Sequence, residues 1–209
     1  MRPIALCAAA AAAVFGLVGC GEASSPTTHT THTTNGAGLS SGMSAAAGVH
    51  DAADVTFAQQ MILHHAQAVA MARLAPTRAD SPAVKALAVR IEAAQDPEIV
   101  TMTGWLKSWG AKVPDTSHMG GVGSPMGMGR PMGAGMMSRA DMSMMAGMSG
   151  RGFDRMCLTM MTRHHQGAIA MAHTEQAAGT NPAATKVAAG IISSQSAGIT
   201  TMAGMLKTL

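Results

Sequence analysis

The chain contains no tyrosine, and only three phenylalanines and two tryptophans among 209 residues. A core short of aromatics must be filled by Ala, Met, Leu, Ile and Val, which suits closely packed helices better than a sandwich or barrel. Charge is scarce as well: 12% of residues are charged and the formal net charge is +3. No basic stripe interleaved with aromatics is present, so nucleic acid is not an expected partner. Cysteine occurs three times, at Cys7, Cys20 and Cys157. With Cys7 inside an export leader and Cys20 at its end, Cys157 stands alone and no disulfide framework can staple the fold. Glutamate is limited to Glu22, Glu92, Glu98 and Glu175, and none stands three residues before a histidine. A di-iron site, which needs Glu-x-x-His pairs on a helical bundle, is therefore not expected.

What the chain has in excess is methionine, 21 residues. That is roughly four times ordinary usage. Two stretches organise these residues. Asp54–Ala75 reads DVTFAQQMILHHAQAVAMARLA, and Asp154–Glu175 reads DRMCLTMMTRHHQGAIAMAHTE. Met61, His64, His65, Ala68, Ala70, Met71 and Ala72 return unchanged 100 positions later. Pro82, Ala88, Ile91, Gln95, Ile99, Met102, Leu106 and Lys107 return at the same shift. Agreement this dense over two blocks marks an internal duplication. Each copy reads as a helical hairpin, and a hairpin that cannot cover its own apolar face can do so against a second. The expected fold is all-α: a four-helix bundle built from two duplicated hairpins.

Residues 1–20 carry one basic residue, a short apolar run and a small-residue end. This is the pattern of an export signal, too short for a lasting transmembrane helix. Its last four residues, Leu17-Val18-Gly19-Cys20, resemble the bacterial lipobox. The resemblance implies a lipid on Cys20 and an exported, extracytoplasmic protein anchored to a bacterial membrane. Residues 21–50 are rich in Ser, Thr, Gly and Ala and read as a disordered tether in which His29, His32 and His50 are solvated.

Residues 51–209 form the domain. The first hairpin, 51–110, is predicted as a helix over 51–75, capped by Asp51 or Asp54, and a second from Pro82 towards Gly110. Asp96-Pro97 is expected to interrupt or kink that second helix. A Met/Gly-rich loop follows over 111–152, with ten methionines between Met119 and Met148. Its glycines forbid a stable helix over much of it. The loop serves either as a set of extra thioether ligands or as a spacer. The second hairpin, 153–209, is expected to hold helices over 153–178 and 182–207.

Residues three, four and seven apart share one face of a helix. Met61, His64, Ala68 and Met71 are thus placed on one stripe with His65 beside it, and Met161, His164, Ala168 and Met171 on the equivalent one with His165 beside it. Small Ala68 and Ala168 would admit a close neighbour at that level. Thioether with imidazole is a donor set for Cu(I), with Ag(I) as its chemical mimic. Thioethers need no deprotonation and survive outside the cytoplasm, where thiols oxidise. Zinc would normally add Cys or carboxylate, and a haem held by His and Met is the redox alternative. The plainest alternative is a structural envelope lipoprotein whose methionines only pack. Asp54 and Asp154 are read as caps, and Cys157 and His173 as asymmetric extras without counterparts in the first copy.

The pattern Asp-x-x-Phe-x-x-x-Met-x-x-His-His-x-x-Ala-x-x-Met-Ala over Asp54–Ala72, followed by Gln95, Glu98-Ile99, Met102 and Trp105-Leu106, resembles the domain-of-unknown-function family 305. The second copy departs from it at Cys157, Gly198 and Met205, where the pattern has Phe, Glu and Trp. The resemblance implies a ferritin-like bundle and a role in binding copper for buffering, storage, delivery or resistance. A copper-handling protein is a candidate partner for a chain that delivers the ion. No catalytic constellation is visible, so the chain reads as a binding protein rather than an enzyme.

Overall fold

The computed structural model describes residues 48–117, 119 and 133–209. The leader, Cys20, His29, His32 and residues 118 and 120–132 of the Met/Gly-rich tract lie outside the described residues. Six helices are present there: α1 (Ala52–Ala72), α2 (Ala75–Arg78), α3 (Pro82–Ser108), α4 (Arg139–Gly147), α5 (Gly150–Ala178) and α6 (Pro182–Thr208). The long ones, α1, α3, α5 and α6, make a four-helix bundle. Among the described residues no helix is long and apolar enough to cross a membrane.

Each helix starts where its sequence supplies a cap. Asp51 accepts from the backbone of Ala53 and Asp54, while Asp54 accepts from the Asp51 N–H at 2.8 Å, a reciprocal capping box. Ser81 and Asn181 cap α3 and α6, with Pro82 and Pro182 in their first turns. The first helix ends at Ala72 rather than 75, and Pro76 opens the single turn of α2. The helix does not end at Asp96-Pro97: α3 runs through the pair to Ser108. Ala93, Asp96 and Pro97 all lie on the exposed side of α3. The Ala93 carbonyl that Pro97 leaves without a donor is therefore on a face open to solvent. Replacing Pro97 by Ala is expected to raise stability by about 1–3 kcal/mol. A thermal melt that does not move upward would show that the proline ring's restriction of the unfolded chain outweighs the missing bond.

The loop expectation needs a correction over 111–152. Ser138 and Asp141 form a second capping box that starts α4, and α5 begins at Gly150, three residues before 153. The Ser-x-x-Asp signal was in the sequence, masked by the surrounding glycines. Met137 and Met145 are fully buried in the core beside Phe153 and Leu158. At these positions the tract's methionines fill space. His50, expected to be solvated, instead stacks on Trp109 with ring centroids 4.7 Å apart.

The hairpins α1–α3 and α5–α6 meet chiefly through α1 against α5. One core cluster joins Ala68, Met71 and Ala72 to Cys157, Leu158 and Met161. A second joins Phe57, Ala58 and Met61 to Ala168 and Ala172. The end of α1 thus lies with the start of α5 and the reverse, an antiparallel pair related by an approximate twofold axis. The same relation appears at the hairpin tips. Asp54 accepts from the Asn181 N–H at 3.0 Å and from Thr180, while Asp154 accepts from the Ser81 N–H at 2.9 Å. The aspartate of each copy therefore fastens the turn of the other; Asp54 also shares the capping box of α1, whereas Asp154, read as a cap from sequence, lies inside α5, whose N-cap is Ser149.

Candidate metal centre

Where α1 and α5 cross, the two His-His pairs meet. The rings of His64 and His164 are 3.7 Å apart between centroids and tilted by 37°. Ala68 and Ala168, both completely buried, permit this approach. His64, His65, His164 and His165 are all buried, at 1%, 0%, 0% and 4% exposure. Burial pushes His64 down to about 3 and His165 down to about 4, with the neighbouring imidazoles adding to it. His164 is pushed well below its usual value by burial first and by the other three histidines after it. The rings of His64, His164 and His165 are therefore neutral at physiological pH and carry lone pairs.

Their hydrogen bonding is incomplete. His64 Nε2 meets the Ala134 carbonyl at 3.1 Å, and His65 Nε2 meets Glu98 Oε2 at 2.6 Å. The Nδ1 atoms of all four rings, and Nε2 of His164, are buried without a partner. A buried nitrogen left unpaired costs about 1–3 kcal/mol, so five of them together need a reason. Unpartnered neutral imidazole with buried thioether fits a soft metal ion.

The structure distributes the methionines unevenly. Met61, Met71 and Met161 are buried, Met61 in the cluster with Ala168 and Met161 in that with Ala68, so they flank the histidine layer on opposite sides. Met171 is only partly buried. Among the described residues no three His, Cys, Asp or Glu side chains converge on one cation position. An ion held by His64 and His164 would have to part their ring contact. Cys157 packs in the core, its thiol pushed up to about 12 by burial and by the adjacent Asp154, and it stays protonated. His173 is exposed on the surface, away from the crossing.

Three site residues escaped the sequence reading. Gln67 holds residues 133–138 as a strap beside the histidines, donating from Nε2 to the Met137 carbonyl at 3.0 Å and accepting the Met137 N–H at 2.7 Å. Gly135 (φ +77°) presses against Gly167, where a Cβ would drive into the Ala134 carbonyl. The clue was one of the disagreements inside the repeated core, Gln67 against Gly167. One copy supplies the clasp and the other the space.

The family model described as a domain of unknown function (DUF305) matches residues 54–206. No curated protein sequence matches the chain significantly. A DUF305 protein from Streptomyces coelicolor is similar in structure, with 31% identity, 75% of this chain and 93% of that one covered, and a TM-score of 0.65. A DUF305 fragment from Deinococcus radiodurans has 30% identity over 76% and 98% of the two chains, again with a TM-score of 0.65. CopM in its Cu(II)-bound form has 31% identity over 74% and 96%, with a TM-score of 0.61. Cu(I)-bound and Ag-bound forms of CopM also match. The repeat, the bundle and the family match agree, and the chain belongs to the DUF305 family.

Proposed function

We propose that the protein binds Cu(I), and Ag(I) as its mimic, outside the cytoplasm, held to a membrane by lipid on Cys20. In this reading it stores, buffers or delivers the ion, and Met61, His64, His65, Met71, Met161, His164, His165 and Met171 supply the ligands. The carrying observation is the buried layer of four imidazoles with five unpartnered nitrogens between methionine-containing clusters. The CopM structures with copper and silver on a similar bundle support it. The protein's own part is to hold donors in a site shielded from water, where a soft ion exchanges its solvent for sulfur and nitrogen.

The test is anaerobic titration of residues 21–209 with Cu(I) against a chromogenic chelator. Stoichiometric uptake is expected, and it should collapse when His64, His65, His164 and His165 become Ala together. Uptake lost only on deleting 115–150 would move the site to the Met/Gly-rich tract. A visible absorption band from the protein as isolated would favour haem. No competition with the chelator would leave a helical lipoprotein that packs its methionines.

A further inference from the structure

The duplicated halves are closed differently over their second histidines. In the first copy Glu98 lies over His65, its Oε2 2.6 Å from Nε2. The Glu98 side chain is itself 26% exposed, so the solvent boundary is one side chain above the His65 ring. The second copy has Gly198 at the equivalent place. A Cβ there would sit 2.9 Å from His165 Cδ2 and 3.1 Å from Nε2. The edge of the His165 ring thus faces bare backbone at the depth where Glu98 covers its twin. His165 keeps the largest exposure of the four, 4%. Its Nε2 has no hydrogen-bond partner among the described residues, yet it is not sealed as Nδ1 is. On the side of α6, therefore, a ring nitrogen reaches solvent, and on the side of α3 a carboxylate occupies its counterpart.

We propose that Gly198 opens a port through which Cu(I) or Ag(I) enters and leaves, with His165 Nε2 as the first protein ligand it meets and Glu98 closing the opposite face. This rests on the metal-binding reading above and adds a direction to it. An arriving ion is taken by His165 and passes inward to His164 and His64, whose remaining nitrogens are sealed from solvent. The first copy contributes depth to the site and the second contributes access.

Rapid-mixing measurements of Cu(I) uptake from a chromogenic chelator, and of release to an excess of it, test the port. Gly198→Ala, whose methyl would press on the His165 ring, is expected to slow both directions on the order of tenfold. Glu98→Gly is expected to open a second route and speed exchange by a similar factor, and the double variant should exchange through that route despite the blocked port. A second readout needs no metal: diethyl pyrocarbonate should acylate His165 before His64, His65 or His164, and Gly198→Ala should protect it. Normal copper uptake with unchanged rates in Gly198→Ala, or acylation of His65 ahead of His165, would overturn the port alone. A chain that takes up no Cu(I) at all would overturn the function reading and the port with it.

Discussion

Replacing His164 by Leu is expected to strengthen the metal-free protein while ruining its affinity for copper. Both His164 nitrogens are buried without a hydrogen bond of good geometry, and the one favourable contact, with the His64 backbone, is outweighed by burial and the neighbouring imidazoles. Leucine fills a similar volume and has no polar atom to satisfy. The metal-free variant should therefore gain about 1–3 kcal/mol. For a chain of this size that is a melting point raised by roughly 2–4 °C per kcal/mol. Affinity for Cu(I) should fall at least about 100-fold, the size that even supporting residues of metal sites carry. Paired melts and chelator competitions decide it. A variant less stable than the parent when metal-free, with copper binding intact, would mean that the ring is structural and the layer is not a metal centre.

Replacing Glu175 by Gln is expected to flatten the dependence of stability on pH. Glu175 is 1% exposed, and neither of its oxygens receives a hydrogen bond. Its neighbour is the Asp54 carboxylate, itself committed to accepting from Asp51, Thr180 and Asn181. Those bonds outweigh burial at Asp54 and hold its carboxyl below the usual range. Glu175 can then meet it only as a protonated acid that donates. Burial first, and then the hydrogen bond and charge of Asp54, raise Glu175 from 4.5 to about 8. The folded chain accordingly keeps a proton that the unfolded chain releases. The stabilisation is fully present below pH 4.5, declines between 4.5 and about 8, and is gone above that. The total is on the order of several kcal/mol. Glutamine donates from its amide at every pH. The variant should match the parent near pH 5 and exceed it by a few kcal/mol, roughly, at pH 9. Urea unfolding at the two pH values measures this, and parallel curves for parent and variant would refute it. The first copy has Ala75 in this position and is free of the effect.

The helices, the two hairpins and the histidine crossing were legible because they depend on local periodicity and on a repeat with constant spacing. Asp54, Met61, His64 and His65 could be placed on one helix from spacing alone, and the 100-residue shift placed their twins. The features that were missed depend on contacts across the chain. Pro97 looked like a break because sequence shows the missing donor but not that the face around it is wet. The strap over the histidines depends on Gln67 reaching Met137, 70 positions away, and on the missing side chain at Gly167. The carboxyl pair at Asp54 and Glu175 forms because a turn 127 residues from Asp54 folds back onto that helix start. Of the divergent positions Cys157, Gly198 and Met205, Gly198 stands against a site histidine, His165.

The reciprocal fastening at the hairpin tips bears on how the protein comes apart. The Asn181 N–H at the start of α6 is served by Asp54 of the other hairpin, and the Ser81 N–H before α3 by Asp154. Neither hairpin can peel away without stranding a buried carboxylate and an amide in both halves. Local fraying at either tip is thereby coupled to separation of the whole bundle, which favours all-or-none unfolding over stepwise loss of one repeat. Two similar halves joined by a long tract would otherwise be free to melt one after the other. The crossed fastenings make the duplicated chain a single cooperative unit.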